Sequence, residues 1–312
     1  MKKHVNLGLV FHCHQPVGNY GFVFQLLYEQ SYEPLVAALE RHPGVKVGLH
    51  YTGPLLEWLE AEQPQYLERV GALAARGQVE IIGGAYYEPI LSAISEADRI
   101  GQLKKMGDEL EKRFGKRPSG AWLAERVWEP RVPVALEEAG YGWTIVDDVH
   151  FIGAGVRPET LTGWYLTESE GHRAGVFGSS TDFRYLMPWD SVEACIDFLR
   201  SHGDRKPGGL LVMGDDGEKF GGWPTTFKHC WEDGWVDAFF ARLEREAHWI
   251  GTVHLGDWHE KHLPEGLAYL PTMSYMEMGE WSLPADQQHD LERAKRILRD
   301  HGGADLVNVV RG

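Results

Sequence analysis

Short apolar runs of strand length recur along the chain, and most are followed by a segment whose apolar residues have helical spacing. The runs cover residues 5–11, 45–51, 79–83, 121–124, 143–146, 174–177, 209–213 and 249–254. Continuous apolar runs of about four to eight residues between turn signals are typical of buried strands. Because strands alternate with helices along the chain, we predict a parallel sheet that is covered by helices.

The predicted helices carry their own start and stop signals. In the clearest case Ser95 precedes, and Gly115 follows, a stripe formed by Ile100, Leu103, Met106, Leu110 and Phe114. A serine can cap the first turn of such a helix, and a glycine can end the last turn. Further helices are predicted after Ser31, after residue 53, and over residues 132–139, 191–199, 235–246 and about 286–300. Residues 152–173 show neither pattern and are expected to form an excursion with turns.

The number of strand–helix units favours a closed barrel over an open sheet. Roughly seven or eight units fit into about 260 residues, which is the usual size of a (β/α) barrel. No GxGxxG motif follows the first strand, so the usual sign of a dinucleotide-binding sheet is missing. The fold class that we predict is therefore α/β, with a parallel barrel.

Histidine, aspartate and glutamate residues lie where the predicted strands end. They are His12 and His14, Glu125, the group from Asp147 to His150, and Asp215, Asp216 and Glu218, while Glu80 interrupts its own strand. In (β/α) barrels the carboxyl ends of the strands meet at one face, and active sites are assembled there. Their shared position predicts one convergent site rather than several separate ones.

Three kinds of site fit these residues. His12-x-His14 and Asp148-x-His150 could bind zinc, as in metal-dependent deacetylase-like or mannosidase-like barrels. Alternatively, a pair of carboxylates could cleave a glycosidic bond, one as nucleophile and the other as acid and base. A carbohydrate-binding barrel without catalysis is the third alternative. The residues alone leave all three open.

The composition limits which kinds of ligand and which cellular location we expect. The net charge is −15, from 31 basic and 46 acidic residues, and no basic run stands out, which argues against nucleic acid as a ligand. Twelve tryptophans and twelve tyrosines are available to stack on sugars as well as to fill a core. We expect no membrane segment, because no apolar run approaches spanning length. Three scattered cysteines without a CxxC motif fit a reducing compartment, so we predict the cytoplasm.

Four segments, taken in order, resemble glycoside hydrolase family 57, and within it the 4-α-glucanotransferase and amylase group. They are the HQP of residues 14–16, the GQVEI of residues 77–81, the WLAERV of residues 122–127 and the DDGEKFG of residues 215–221. The stretches GNYG (18–21), DDVHF (147–151) and EWSLP (280–284) are also similar to the glucanotransferases. The resemblance covers essentially the whole chain.

This resemblance implies a (β/α)7 barrel, a distorted TIM-like barrel, and a retaining enzyme that acts on α-1,4-glucans by transfer or hydrolysis, without a cofactor or metal. Glu125 matches the nucleophile and Asp216 the acid and base, so their carboxyl groups are expected about 5–5.5 Å apart. His14 and Glu80 match other active-site positions. The further expected substrate-binding residues are His12, Trp122, His150, Glu218 and Trp223. The expected partner is an α-glucan or maltooligosaccharide, and the candidate assembly is a homodimer.

The chain departs from the family pattern in two places. The fifth family motif has no match, so we predict a catalytic barrel over residues 1–262 and, over residues 263–312, the start of a C-terminal helical region that is cut short. Close glucanotransferases carry a histidine where this chain has Gly214. That difference is expected to alter how the acceptor is handled near Asp216.

Overall fold

The computed structural model describes residues 3–301. Nine β-strands occur within this range. They are β1 (Val5–Cys13), β2 (Val47–Tyr51), β3 (Val79–Ile82), β4 (Gly120–Trp122), β5 (Trp143–Asp147), β6 (Trp164–Ser169), β7 (His172–Ser179), β8 (Gly209–Asp216) and β9 (Ile250–Thr252). Every pairing between these strands is parallel except that of β6 with β7, which is antiparallel.

Seven of these strands form a closed ring in the order β3-β2-β1-β8-β7-β5-β4. The ring closes where Gly83, just after β3, pairs with Ala121 of β4. Two backbone hydrogen bonds make this closure: Gly83 N donates to Gly120 O at 2.9 Å, and Trp122 N donates to Gly83 O at 2.8 Å. β6 pairs with β7 outside the ring, and β9 pairs with the first residues of β1. The predicted (β/α)7 barrel is confirmed.

Helices surround the barrel and follow most of its strands. In the described part of the chain they are α1 (Gly21–Leu27), α2 (Glu33–Arg41), α3 (Gly53–Glu62), α4 (Pro64–Ala75), α5 (Glu96–Phe114), α6 (Val132–Glu138), α7 (Asp148–Gly153), α8 (Thr181–Leu186), α9 (Val192–Arg205), α10 (Trp235–Arg245), α11 (Leu255–Lys261), α12 (Met276–Trp281) and α13 (Ala285–Asp300). None of them is both long and apolar enough to cross a membrane.

Helix α5 forms for the reasons its sequence indicates. The hydroxyl of Ser95 accepts a hydrogen bond from Asp98 N, and Gly115 ends the helix at φ 74°. Residues Leu103, Met106 and Leu110 are buried against the barrel. A glycine is needed at the end because a side chain is strained in this left-handed conformation.

The prediction that a helix begins after Ser31 is wrong. Ser31 does not cap a helix but lies within a continuous helical segment that begins at Gly21. Its hydroxyl donates instead to the carbonyl oxygen of Gly217, 2.7 Å away, at the end of β8. The tertiary contact to the strand end outweighs the capping preference of serine.

Residues after 262 return to the barrel instead of leaving it. Trp128 pairs with Met273 in an antiparallel bridge, and Leu166 pairs with Leu267. Helices α12 and α13 follow. The division at residue 262 and the helical region after it stay predictions, and residues 302–312 lie outside the described residues.

Candidate active site

Glu125 lies in a tight turn directly after β4. The strand ends at Trp122, earlier than predicted, and Glu125 and Arg126 both have positive φ values, 49° and 47°. Residues other than glycine adopt this conformation at a cost of about 1–3 kcal/mol, and it persists only where the surroundings enforce it. Here Ser274 Oγ donates to the backbone oxygen of Glu125 at 2.5 Å. The turn directs the exposed Glu125 side chain into an open pocket.

Tyr275 is the direct partner of the Glu125 carboxylate. Its hydroxyl donates to Glu125 Oε2, and its ring lies 4.5 Å from the guanidinium carbon of Arg126. Burial, together with the hydrogen bond to Glu125 and the negative charge of Glu125, raises the pKa of Tyr275, so the phenol stays a donor. Sequence analysis missed Tyr275, since no signal joins two residues that are 150 positions apart.

Two adjacent aspartates end β8 in opposite electrostatic settings. Burial would raise the pKa of Asp215, but Arg184 and Lys219 hold it at about 2. Their nitrogen atoms lie 2.9 and 2.7 Å from the two carboxylate oxygens of Asp215. Burial and the neighbouring charge of Asp215 raise the pKa of Asp216. The pair therefore combines a fixed carboxylate with one that holds its proton more tightly.

Arg184 connects three of the site's elements. It comes from α8, and it also binds Asp147, at the end of β5, at 2.9 Å. Asp147 in turn lies 3.3 Å from Arg126 Nε in the Glu125 turn. Asp147 and Asp215 are almost fully buried, and such charges are tolerated only when paired. Arg184, which the sequence analysis also missed, thus fixes both aspartates relative to the turn.

His12 and His14 meet a second acidic residue that the sequence analysis did not single out, Glu88. Glu88 Oε1 lies 2.9 Å from His12 Nε2, and the other oxygen is bonded to His14 Nδ1. The His12 ring stacks on Trp122, with centroids 4.7 Å apart and an interplanar angle of 10°. Its Nδ1 lies 2.7 Å from the Nδ1 of His50.

The same cluster is where a metal could be held. Within residues 3–301, His12, His14 and Glu88 offer one ligand atom each within 4.8 Å of one another. Two histidines and one carboxylate are a chemically suitable ligand set. Asp148, the other metal-ligand candidate from the sequence, is not part of this group. It accepts hydrogen bonds from the backbone and hydroxyl of Thr181.

Two predicted substrate-binding residues lie behind the pocket and support it. Glu218 is buried and accepts from Tyr32 Oη and, at 2.8 Å, from His14 N. Burial and the charge of Asp216 raise its pKa to about 7. His150 is fully buried, with Nε2 2.9 Å from the carbonyl oxygen of Arg126. Neither residue lines the pocket, so their positions favour support of the site over contact with substrate.

Glu80 lies in a different cavity. The backbone N–H of Gly256 donates to both of its carboxylate oxygens, at 3.0 and 3.2 Å. This cavity, of about 740 Å³, is bounded by residues that precede the strands, such as Lys46 and Ser119. It is therefore at the amino end of the barrel. The expectation that Glu80 contributes to the pocket of Glu125 is not supported by its position.

The pocket at the carboxyl end has a volume of about 340 Å³. Its floor is charged and its rim is aromatic. Trp189 and Trp223 stack at the rim with centroids 6.3 Å apart, and both are partly exposed. The predicted residues that line it are His12, Trp122, Glu125, Asp216 and Trp223. Carboxylates below exposed indoles suit a ligand with polar groups and flat apolar faces, such as a sugar chain.

Comparison with known proteins agrees with this fold. The chain is 40% identical over 299 residues to alpha-amylase 1 of Dictyoglomus thermophilum, which covers 96% of this chain and 44% of that protein. It is 40% identical to the 4-alpha-glucanotransferase of Thermococcus litoralis, whose crystal structure superposes with a TM-score of 0.92 over 99% of this chain and 48% of that one. The alpha-amylase AmyC of Thermotoga maritima shares the fold at 14% identity, with a TM-score of 0.67 over 96% of this chain and 82% of that one.

The chain spans slightly less than half the length of the curated relatives that it matches, between 43% and 47% of each. A family model described as glycosyl hydrolase family 57 matches residues 8–271, which is most of the chain. The closed seven-stranded barrel, the match over these residues and relatives at about 40% identity lead to one conclusion. The chain belongs to glycosyl hydrolase family 57.

Proposed function

We propose that this chain is a retaining enzyme that acts on α-1,4-glucans, by transfer to a second sugar or by hydrolysis. The observation that carries the proposal is the pairing of Glu125 and Asp216 in one pocket, beneath a tryptophan rim. The relatives named alpha-amylase and 4-alpha-glucanotransferase support the choice of α-glucan as substrate. We also propose the cytoplasm as the location and the homodimer as the assembly, on the sequence alone.

In the first step, Glu125 attacks the anomeric carbon of the bound sugar. A bond forms between that carbon and a carboxylate oxygen, while the bond to the glycosidic oxygen breaks. Asp216 gives its proton to the departing oxygen. The raised pKa of Asp216, caused by burial and the charge of Asp215, suits a group that must be protonated before this step.

In the second step, Asp216 acts as the base. It removes a proton from the 4-hydroxyl of a second glucan or from water, and that oxygen displaces Glu125 from the anomeric carbon. Two displacements restore the original configuration. Tyr275, which donates to Glu125, holds the nucleophile in place between the two steps.

Incubation of the purified chain with maltopentaose tests the proposal. Longer and shorter products together indicate transfer, and shorter products alone indicate hydrolysis. We expect Glu125→Gln to lower the rate by more than about a thousandfold, because the amide cannot form the covalent intermediate. The matched control is Glu138→Gln, at an exposed carboxylate on α6, which we expect to retain full activity.

The configuration of the first product, followed by NMR, tests the retaining mechanism. We expect the α-anomer to appear first and to equilibrate slowly. Initial release of the β-anomer would contradict the double displacement. Binding of maltooligosaccharides without any change in their length would contradict catalysis and favour a glucan-binding protein.

A further inference from the structure

Glu88 is the carboxylate that joins the two histidines after β1. One oxygen lies 2.9 Å from His12 Nε2, and the other accepts from His14 Nδ1. Only 7% of the Glu88 side chain is exposed. A buried carboxylate is destabilising unless it is paired. Glu88 can be buried here because it contacts the two histidine rings.

The loop that carries Glu88 is itself held in place. Glu88 has a φ of 51°, in the left-handed region, and its N–H donates to Ala85 O at 3.1 Å. The preceding residue, Tyr87, donates its N–H to the side-chain oxygen of Gln102 on α5 at 2.9 Å. Strained backbone that neighbouring contacts enforce is typical of functional positions. The loop therefore presents Glu88 to the histidines in a fixed geometry.

Both ring nitrogens of His12 have a partner. Nε2 faces the Glu88 carboxylate, and Nδ1 faces His50 Nδ1 at 2.7 Å. Both contacts are satisfied when His12 donates from each nitrogen and His50 is neutral and accepts. Burial would lower the pKa of His12, but the charge of Glu88 and its hydrogen bond raise it to about 9. Burial and the His12 charge lower the pKa of His50 to about 3.

The ionisable groups that face His12 come from four places in the barrel. They are His14 on its own segment, His50 of β2, Glu88 of the loop after β3, and Asp216 and Glu218 at the end of β8. The backbone register pairs His12 with Asp216 directly. The His12 ring thus lies beside the carboxyl group proposed as acid and base.

We propose that Glu88 is a positioning residue that fixes the ring of His12, stacked on Trp122 and next to Asp216, and fixes the ring of His14 at the same time. This inference rests on the proposed function, since His12 and Asp216 line the pocket proposed as the active site. Because Glu88 binds Nδ1 of His14, the opposite nitrogen of that ring points away from the carboxylate. The His14 side chain is 37% exposed.

The test uses Glu88→Gln, with Glu33→Gln as the matched control. Glu33 is ion-paired with Arg69 on the outer helices and is partly buried, so its substitution also removes a paired carboxylate. We expect Glu88→Gln to lower kcat on maltopentaose about 100-fold, as a misplaced catalytic group does, with a smaller change in KM. The melting temperatures of the two variants should agree within about 4 °C.

Nitrogen NMR of ¹⁵N-histidine-labelled protein tests the contact between Glu88 and the His12 ring without substrate. His12 signals are assigned by their loss in His12→Asn. At one fixed pH we expect the signal of His12 Nε2, which faces Glu88, to shift in Glu88→Gln and to stay unchanged in Glu33→Gln. Glu88→Asp keeps the carboxylate but shortens its side chain by one methylene, so it should shift the same signal and lower kcat by a smaller factor, which tests the inference even if the glutamine variant fails to fold.

The outcomes separate this inference from the proposed function. A His12 signal that depends on Glu88, in a chain with no activity on glucans, would refute the function and leave the contact established. Full activity in Glu88→Gln, or a His12 signal that is the same with and without Glu88, would overturn the inference. So would a stoichiometric metal ion in the purified chain that is lost in Glu88→Gln, because the cluster would then be a metal site.

Discussion

Each end of the barrel holds a glutamate beside a cavity, and the two glutamates accept hydrogen bonds from different partners. Glu218 is buried and Glu80 is partly buried. Glu218 lies behind the carboxyl-end pocket, and Glu80 lies in the amino-end cavity. Burial raises the pKa of each of them to about 7. Glu218 accepts from the Tyr32 hydroxyl and a backbone amide, and Glu80 accepts from the backbone at the start of α11. A raised pKa alone therefore does not identify a functional site.

Other features distinguish the carboxyl end. There, two carboxylates in different settings, Glu125 and Asp216, share one pocket. The backbone at Glu125 and Glu88 is left-handed, and the rim carries exposed tryptophans. At the amino end, Glu80 ties β3 to the first turn of α11, where a carboxylate is favoured by the helix dipole. We infer catalysis at one end and stabilisation at the other.

The largest effect that tests this contrast is expected for Asp216→Asn. Without a proton donor, the rate on maltopentaose should fall by about 10²–10⁴-fold. The loss should be smaller for an aryl maltoside whose leaving group needs little protonation. Asp257→Asn, at the amino-end cavity, is the matched control and should be unaffected. An equal loss on both substrates would argue against Asp216 as the acid.

Arg184→Met should have the next largest effect, on stability as well as activity. The substitution leaves Asp147 without its 2.9 Å partner and Asp215 with Lys219 alone. Unpairing buried charges costs about 3–5 kcal/mol, which urea unfolding can measure. Arg131→Met breaks only exposed ion pairs and should cost less than about 1 kcal/mol. Equal losses in the two variants would show that the Arg184 network adds no special stability.

Tyr275→Phe removes the hydrogen bond to Glu125 but keeps the ring beside Arg126. We expect kcat to fall about 10-fold, because the nucleophile is held less firmly, while folding is unchanged. The exposed Tyr269, on the same segment, is the control position for Tyr269→Phe. If both variants keep full activity, the segment after residue 262 has no part in positioning Glu125.

The sequence predicted the barrel and much of its carboxyl-end pocket for a common physical reason. Parallel strands place their ends on one face, so polar residues that follow apolar runs converge there. His12, Glu125 and Asp216 each follow or end such a run, and all three line the pocket. Trp223 lies shortly after the last of these runs and joins them at the rim.

The residues that were missed obey no such rule. Glu88 and Tyr275 come from a loop and a late segment, and their partners are 74 to 150 positions away. Arg184 lies on a short helix and reaches two strand ends. Only tertiary packing brings these groups together. For Glu80 the sequence showed a carboxylate within a strand, but not toward which end of a four-residue strand its side chain turns.

Glu80→Gln should have the smallest effect on catalysis, which makes it the sharpest comparison of the two ends. The amide oxygen can still accept from Gly256 N, so we expect activity on maltopentaose to stay within about twofold of the parent chain. A loss above tenfold would show that the amino end takes part in catalysis. The control at the other end is Glu218→Gln, which removes a carboxylate with a similarly raised pKa from behind the pocket.

Stability should respond to Glu80→Gln in a pH-dependent way. Burial raises the pKa of Glu80 in the folded chain from 4.5 to about 7. Between these values the folded state binds more protons than the unfolded state, so this group's contribution to stability falls as pH rises from about 4.5 to about 7. Glutamine has no proton to lose. Relative to the parent chain, the free energy of unfolding of the variant should therefore increase from pH 5 to pH 8 in urea titrations, and a difference that stays constant with pH would mean that Glu80 is not buried as a neutral acid.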